Sequence, residues 1–529
     1  VTGAVIMAAG LSSRFAPISY ERPKGTLKVR GEILVERQIR QLHEVGITNI
    51  TLVVGYKKEY YFYLADKYGV DIVVNREYAT RNNNGSLWRV KERLDNTYVC
   101  SSDDYFTTNP FEPYVYKSYY SANYVEGPTD EWCIKVGAGD RIIGATVGGE
   151  DAWVMLGHVY FDRNFSATFR EILEQVYDKP ETVSKLWESI YLDHIKSFDM
   201  VIRRYPDGVI HEFDSVDELR NFDPLFIENV DSEVFDHIVE TLGCAKSEIR
   251  DFYPLKQGIT NLSCHFAVGD NEYVYRHPGI GTEKIVDLAA ELGIDDTFIT
   301  GDPVAGWKLS RFVRDVRNLD VTRPEELKAA MEMDRALHNS GRVLDRSFDF
   351  VTEGLRYEGI LKTFGPIDVP GYFELRDKVL RLKAFADADG FDKVPSHNDF
   401  FPPNFLVDKD GTISLIDWEY AGMSDMAADF GTMTVCTAEM TRERAAAALE
   451  YYLGHTPTER EARHFFAYEV FAGWCWYLWA LVKEAEGDDV GEWLYIYYSH
   501  ATRTIDSLLA SYEATSTSGA QVSQEGELA

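Results

Sequence analysis

The chain has 529 residues, 45% hydrophobic and 26% charged, with a formal net charge of −32 at pH 7. That length exceeds what one hydrophobic core fills, so two or more domains are expected. The acidic balance argues against nucleic acid or an anionic membrane surface as a partner; it favours solubility and a cationic ligand.

Ala4–Met7 reads as a buried strand, and Met7-Ala8-Ala9-Gly10-Leu11-Ser12-Ser13-Arg14-Phe15 follows it directly. Small residues let backbone N–H groups close around phosphates, and Arg14 adds a fork for a triphosphate. From Val1 to Arg30 there are five Lys/Arg (Arg14, Arg22, Lys24, Lys28, Arg30) against one acid, Glu21. This local excess in an acidic chain points to an anion site. Helical spacing covers Ile33–Val45; Ile50–Val54, Val70–Val74 and Thr97–Cys100 are further strands, the last ending at Ser101-Ser102-Asp103-Asp104. Strands alternating with helices predict a mostly parallel sheet. Aromatics are dense between residues 132 and 191. Asp231 is expected to open a helix, Ser232–Leu242, with hairpin-like strands around Gly258 and Asp270. From Pro324 the pattern is mainly helical, interrupted near Asp399–Asp417, and the tail 515–529 is rich in Ser, Thr, Gly, Gln and Glu. The six cysteines form no C-x-x-C pair and histidine is scarce, so a zinc site is not expected and a reducing, cytoplasmic setting is. No signal peptide or bilayer-length apolar run stands out, and the start at Val1 leaves room for an upstream segment.

A-A-G-x-x-S-R-F with the later Pro23-Lys24 resembles the nucleotidyltransferases that join NTPs to sugar phosphates or phosphocholine, above all bacterial CTP:phosphocholine cytidylyltransferases. The resemblance implies CTP phosphates on Ala8, Ala9, Gly10 and Ser12, the cytosine near Asn83 and Ser86, and Lys24 and Arg14 as catalytic cations. It also implies Mg²⁺ on Asp103, with Glu212 and Asp214 reaching the same ion from one face of a strand. Trp132, Trp187-Glu188, Tyr191 and Asp193 resemble the choline side, while Trp153 and Tyr160 read as core.

His397-Asn398-Asp399-Phe400-Phe401-Pro402-Pro403-Asn404 and Ile416-Asp417-Trp418-Glu419-Tyr420 carry the layout of phosphoryl transfer, an Asp base, then Asn and Asp for metal. They resemble choline/ethanolamine kinases of the aminoglycoside-phosphotransferase-like group. By that match Asp399 is the base, Asn404 and Asp417 hold Mg²⁺, and Gly258, Thr260, Asn261 and Arg276 meet ATP. Glu419, Tyr420, Trp476 and Trp479 would form an aromatic cage for choline. His397, Asp425 and Asp429 are expected to support the loop, and the stretch between Gly281 and Gly293 looks shortened, leaving Glu283 or Glu291 to pair with the ATP-binding cation.

Together these imply an α/β chain. A Rossmann-like nucleotidyltransferase domain with a mixed sheet spans 1–228, a bilobal α+β kinase-like domain spans 229–514, and 515–529 is a disordered tail. The implied function is CDP-choline synthesis from choline, ATP and CTP. Rivals are ethanolamine or an aminophosphonate as substrate, a sugar-phosphate nucleotidyltransferase, and a non-catalytic choline-binding second half.

Overall fold

The computed structural model describes residues 1–255, 262–277, 292, 294–302, 304–435, 439–487 and 489–526, with side chains up to 515. These residues form two compact units, 1–282 and 283–529. The expected boundary near 228 differs from this division, because residues 229–277 pack with the first unit.

The first unit is built on a seven-stranded sheet. Its strands are β1 (Gly3–Ala8), β2 (Ile50–Val54), β3 (Asp71–Val74), β4 (Thr97–Ser101), β5 (Tyr119–Val136), β6 (Ile142–Phe161) and β7 (Val201–Arg204). The spatial order is β7-β5-β6-β4-β1-β2-β3. The β4, β1, β2 and β3 strands run parallel, while β6 is antiparallel to both β4 and β5, so the sheet is mixed. β1 is central and covered on both faces, which explains its unbroken apolar run. The helix Leu34–Glu44 buries Val35, Ile39 and Leu42, the spacing read from the sequence. A small antiparallel ladder pairs Tyr105 with His211 and Phe106 with Ile210. It brings the segments 103–104 and 212–214 out at the same end.

Ser232, not Asp231, caps the helix Glu233–Leu242; its hydroxyl accepts from the Phe235 N–H. The hairpin Leu262–Val268/Asn271–His277 turns at Gly269, whose φ is 60°. Residue 258 lies outside the described residues.

The second unit opens with the hairpin Phe298–Asp302/Trp307–Arg311 and is mainly helical, apart from two short ladders between residues 393 and 425. Its spine is the helix Glu459–Glu486, which starts with a Thr458/Glu461 capping box and ends at Gly487 in the left-handed region. By length and composition this helix could cross a membrane, an exception to the sequence expectation, but nearly all of its apolar window is buried inside the protein. It is apolar all round because other helices surround it. The last helix, Ile505–Gly526, runs into the stretch expected to be disordered. That stretch holds no proline to stop it.

Gly431 packs against the spine, where an added Cβ would lie 2.6 Å from the Tyr468 carbonyl oxygen. Alanine improves helix propensity by about 1 kcal/mol, but overpacking against fixed backbone costs about 1–3 kcal/mol or more. Gly431→Ala should therefore lower the thermal unfolding temperature, read by circular dichroism.

Candidate active sites

The first unit contains a cleft of about 630 Å³ at the carboxyl ends of β1 and β4. Open α/β sheets bind ligands at such edges. Ala8, Ala9, Gly10, Ser12, Arg14, Lys24, Asn83, Ser86, Asp103, Glu212 and Asp214 all line it. A Cβ on Gly10 would meet nothing within 4 Å, so glycine there leaves room for a ligand rather than for protein. Ser12 has a φ of 50°, and its carbonyl accepts the Phe15 N–H at 2.8 Å, which closes the loop into a tight turn.

Two ion pairs cross the cleft. Lys24 Nζ lies 2.8 Å from Asp103, and Arg14 lies 2.8 Å from Asp214. Burial opposes the charge on Lys24, but Asp103, helped by Glu212 and Asp214, outweighs it and holds the ammonium pKa above its ordinary value. Gly25 lets Lys24 sit this deep: a Cβ there would be 2.6 Å from the Ser102 hydroxyl. The strand expected through Glu212 and Asp214 stops at His211. Both carboxylates still reach the cleft, because Phe213 turns into the core between them. The enclosing walls, and then the charge of Asp103, push Glu212 up to about 8. This set of oxygen donors suits Mg²⁺, which needs few protein carboxylates when phosphates complete its shell.

The expected choline side is only partly there. Trp187 and Tyr191 are fully buried in the core, stacked on Tyr120 and packed against Phe165 and Phe198. Positions four apart on the helix Trp187–Asp193 share its buried face. Asp193 is exposed and pairs with Lys185 at 2.7 Å, and Trp132 is half-buried against the same core. Glu188 remains tied to the cleft. It accepts from Asn83 Nδ2 and the Tyr120 hydroxyl, each at 3.2 Å, and burial pushes it up to about 7. Asn83 also accepts the Trp187 N–H at 2.7 Å, so it links the expected base side to the amine side. Sequence reading missed Asn75, Tyr78 and Arg81 in the lining. Arg81 lies over the Tyr177 ring at 3.9 Å, a contact between residues 96 positions apart with no local signal. It also missed Asp104, which is buried behind Asp103 with no hydrogen-bond partner for its carboxylate among the described residues.

In the second unit two ladders converge. Lys393–Ser396 pairs with Gly422–Asp425, and Phe405–Val407 pairs with Ile413–Leu415. Asp399 follows the first strand, Asn404 precedes the third element of this set, and Asp417 follows Ile413–Leu415. Asn404 Nδ2 donates to both Asp399 Oδ2 and its carbonyl at 2.8 Å. Asn404 and Asp417 are the residues here that could hold Mg²⁺. Asn398 and Asp417 have φ of 65° and 71°, which shapes the loop around them. Buried Asp429 accepts the N–H groups of His397 and Asn398 at 2.8 and 2.5 Å. Burial opposes its charge, yet His338 and these donors hold it low. Asp334 and Asp429 press His338 up to about 10, against the cost of its burial. The imidazolium thus supplies the positive charge of this group. His397 sits beneath the loop, bonded to the Ile416 carbonyl, and Asp425 pairs with His464, so all three act as supports.

Tyr420 meets Trp476 edge-on at 5.7 Å, and Trp476 meets Trp479 at 6.4 Å. Trp476 is 6% exposed and belongs to the core as well; its indole N–H has no partner among the described residues. Phe348 and Phe350, which the sequence reading did not single out, stand 6.1 Å from Tyr420 and 6.3 Å from Trp476. Glu419 lies near enough to help raise Asp399. Arg276 is buried at the end of its strand in the first unit. Gly258, Thr260, Asn261, Glu283 and Glu291 lie outside the described residues.

Residues 4–110 match the model of the MobA-like NTP transferase domain, and residues 309–466 that of the phosphotransferase enzyme family. The choline-phosphate cytidylyltransferase of Streptococcus pneumoniae is 34% identical over 222 residues, 42% of this chain and 97% of that protein. The chain belongs to the cytidylyltransferase family. The 2-aminoethylphosphonate cytidylyltransferase of Lancefieldella rimae is 31% identical over 226 residues, 42% of this chain and 92% of that protein. The crystal structure of choline kinase LicA from Streptococcus pneumoniae matches at 24% identity and a TM-score of 0.43, over 52% of this chain and 100% of that one. The protein is an enzyme that carries a kinase-like domain beside its cytidylyltransferase.

Asp399 is pushed up to about 8, by burial first, with Asp417 and Glu419 adding to it against the bond from Asn404. Its reference value is 3.8. An acid raised in the folded state withholds stability as pH climbs, from about 4 until the loss is complete above about 8. In metal-free buffer Asp399→Asn should unfold at a higher temperature than wild type at pH 8, by about 2–4 °C per kcal/mol recovered, and at the same temperature at pH 4.

Proposed function

We propose that the chain makes CDP-choline in two steps: choline + ATP → phosphocholine + ADP, then phosphocholine + CTP → CDP-choline + pyrophosphate. The supporting observation is the first cleft, where a buried Lys24–Asp103 pair and an Arg14–Asp214 pair flank a glycine loop in a cytidylyltransferase. The proposed division of labour is 1–228 for cytidylyl transfer and 229–514 for phosphorylation. ATP, CTP and the reducing state expected of the thiols make a cytoplasmic setting part of the same reading.

In the first step of the mechanism Asp399 orients the substrate hydroxyl and accepts its proton. Tyr420, Trp476 and Trp479 would hold a quaternary ammonium, which donates no N–H bond and needs ring faces. In the second step the substrate phosphate is already ionised, so no base is required. Lys24 and Arg14 lie where charge grows on the α-phosphate and the leaving pyrophosphate. At both sites Mg²⁺, when bound, supplies neutralisation of the nucleotide phosphates. Asp103, Glu212 and Asp214 would hold it in one, Asn404 and Asp417 in the other.

A second reading concerns the amine. Trp187 and Tyr191 are covered by protein, whereas Glu188 and Asn83 stay connected to the cleft. Carboxylate and amide ligands with few rings suit a primary ammonium, as in phosphoethanolamine or 2-aminoethylphosphonate, and one relative is named for the latter.

Purified protein with choline, ATP, CTP and Mg²⁺ should yield CDP-choline by mass spectrometry, and EDTA should stop both steps. Asp399→Ala should lower phosphocholine formation by more than about 100-fold and spare cytidylyl transfer; Asp103→Ala should do the reverse. Loss of both steps in either folded variant would refute separate sites. Comparing pyrophosphate release from phosphocholine, phosphoethanolamine, 2-aminoethylphosphonate and a hexose 1-phosphate decides the acceptor.

A further inference from the structure

The two cation-bearing parts of the first cleft are joined by a segment that does not line it. Gly10–Arg14 and Lys24 face the cleft, while residues 16–23 between them turn away. Within this excursion the short helix Ile18–Glu21 buries Tyr20. The Tyr20 hydroxyl donates to the Ser263 carbonyl at 3.1 Å, and its ring lies 6.1 Å from that of His277. Glu21 accepts the Val234 N–H at 3.2 Å, and Arg22 pairs with Asp231 at 3.1 Å. The opposite side is gripped as well. Tyr56 donates its hydroxyl to the Ser19 carbonyl at 2.8 Å and its N–H to the Ala9 carbonyl at 3.1 Å.

The excursion is therefore clamped between the sheet that carries the glycine loop and a hairpin more than 240 residues away in sequence. Any shift in it moves Arg14 on one side and Lys24 on the other. Catalytic cations must be held to well under about 1 Å for efficient transfer. Nothing in residues 1–228 contributes the Ser263 and His277 contacts.

We propose that Tyr20 is a positioning residue of the nucleotide site, and that the hairpin Leu262–His277 is the support it works against. This rests on the cytidylyl-transfer reading of the first cleft. The transferase so built reaches beyond residue 228, because its phosphate-facing cations are set by strands that the sequence assigns to the kinase-like half.

The test uses the full chain. Tyr20→Phe keeps the ring and removes only the hydroxyl bond; it should raise KM for CTP about three- to tenfold, with kcat and KM for the phosphorylated amine within about twofold. His277→Ala, which removes the ring on the other strand, should move KM for CTP in the same direction. Direct CTP titration by calorimetry should show the same loss. An unchanged KM for CTP in Tyr20→Phe overturns the inference. So does a uniform fall in kcat with a lowered unfolding temperature, since that marks a purely structural role. A wild type that releases no pyrophosphate from CTP with any of the phosphorylated amines overturns the reading of the cleft and the inference with it; an active wild type matched by Tyr20→Phe overturns the inference alone.

Discussion

Lys24 is held at 2.8 Å from Asp103 in a place almost closed to solvent. A lone ammonium there would be pushed toward losing its proton. Asp103 holds Lys24 charged, and the arrangement around the pair follows from that requirement. Gly25 makes the depth possible, the small 105–106/210–211 ladder delivers Glu212 and Asp214 beside it, and Arg14 balances the outermost carboxylate. The cleft holds its charges in compensated form, so the proposed triphosphate would exchange partners with the cations rather than create charge separation anew.

The kinase-like unit solves a related problem by a different route. The carboxylate proposed as its base, Asp399, has no cationic partner among the described residues. Among the described residues Asn404 donates to its side chain, and the negative neighbours Asp417 and Glu419 work against ionisation. The backbone around it is fixed from below by Asp429, which itself depends on charged His338. Asp334, Asp429 and His338 form a buried base plate beneath the loop that carries the proposed acids.

The strands and the glycine loop were legible because an apolar run followed by small residues has few other uses. Asp103, Glu212 and Asp214 were legible as chemistry but not as geometry: the expected strand ends at His211, and a two-residue ladder brings them together instead. Trp187 and Tyr191 misled because an aromatic pair four apart fits a core face and a ligand wall equally well. Arg81, Asp104 and Phe348 gave no local cue, since each is defined by partners distant in sequence. The kinase-like motif was legible as a linear pattern, while its support by His338 through Asp429 spans 91 positions.

The spine helix Glu459–Glu486 has a consequence for how this enzyme could change its diet. It carries Trp476, and Trp476 is at once a packed core side chain and one wall of the proposed amine cage. Mutations there would be filtered for foldability before they could be sorted by substrate. In the first unit Glu188 is bound in a similar way, since burial raises it and it accepts from Asn83 and the Tyr120 hydroxyl. A change of the proposed amine is therefore constrained by packing in both units.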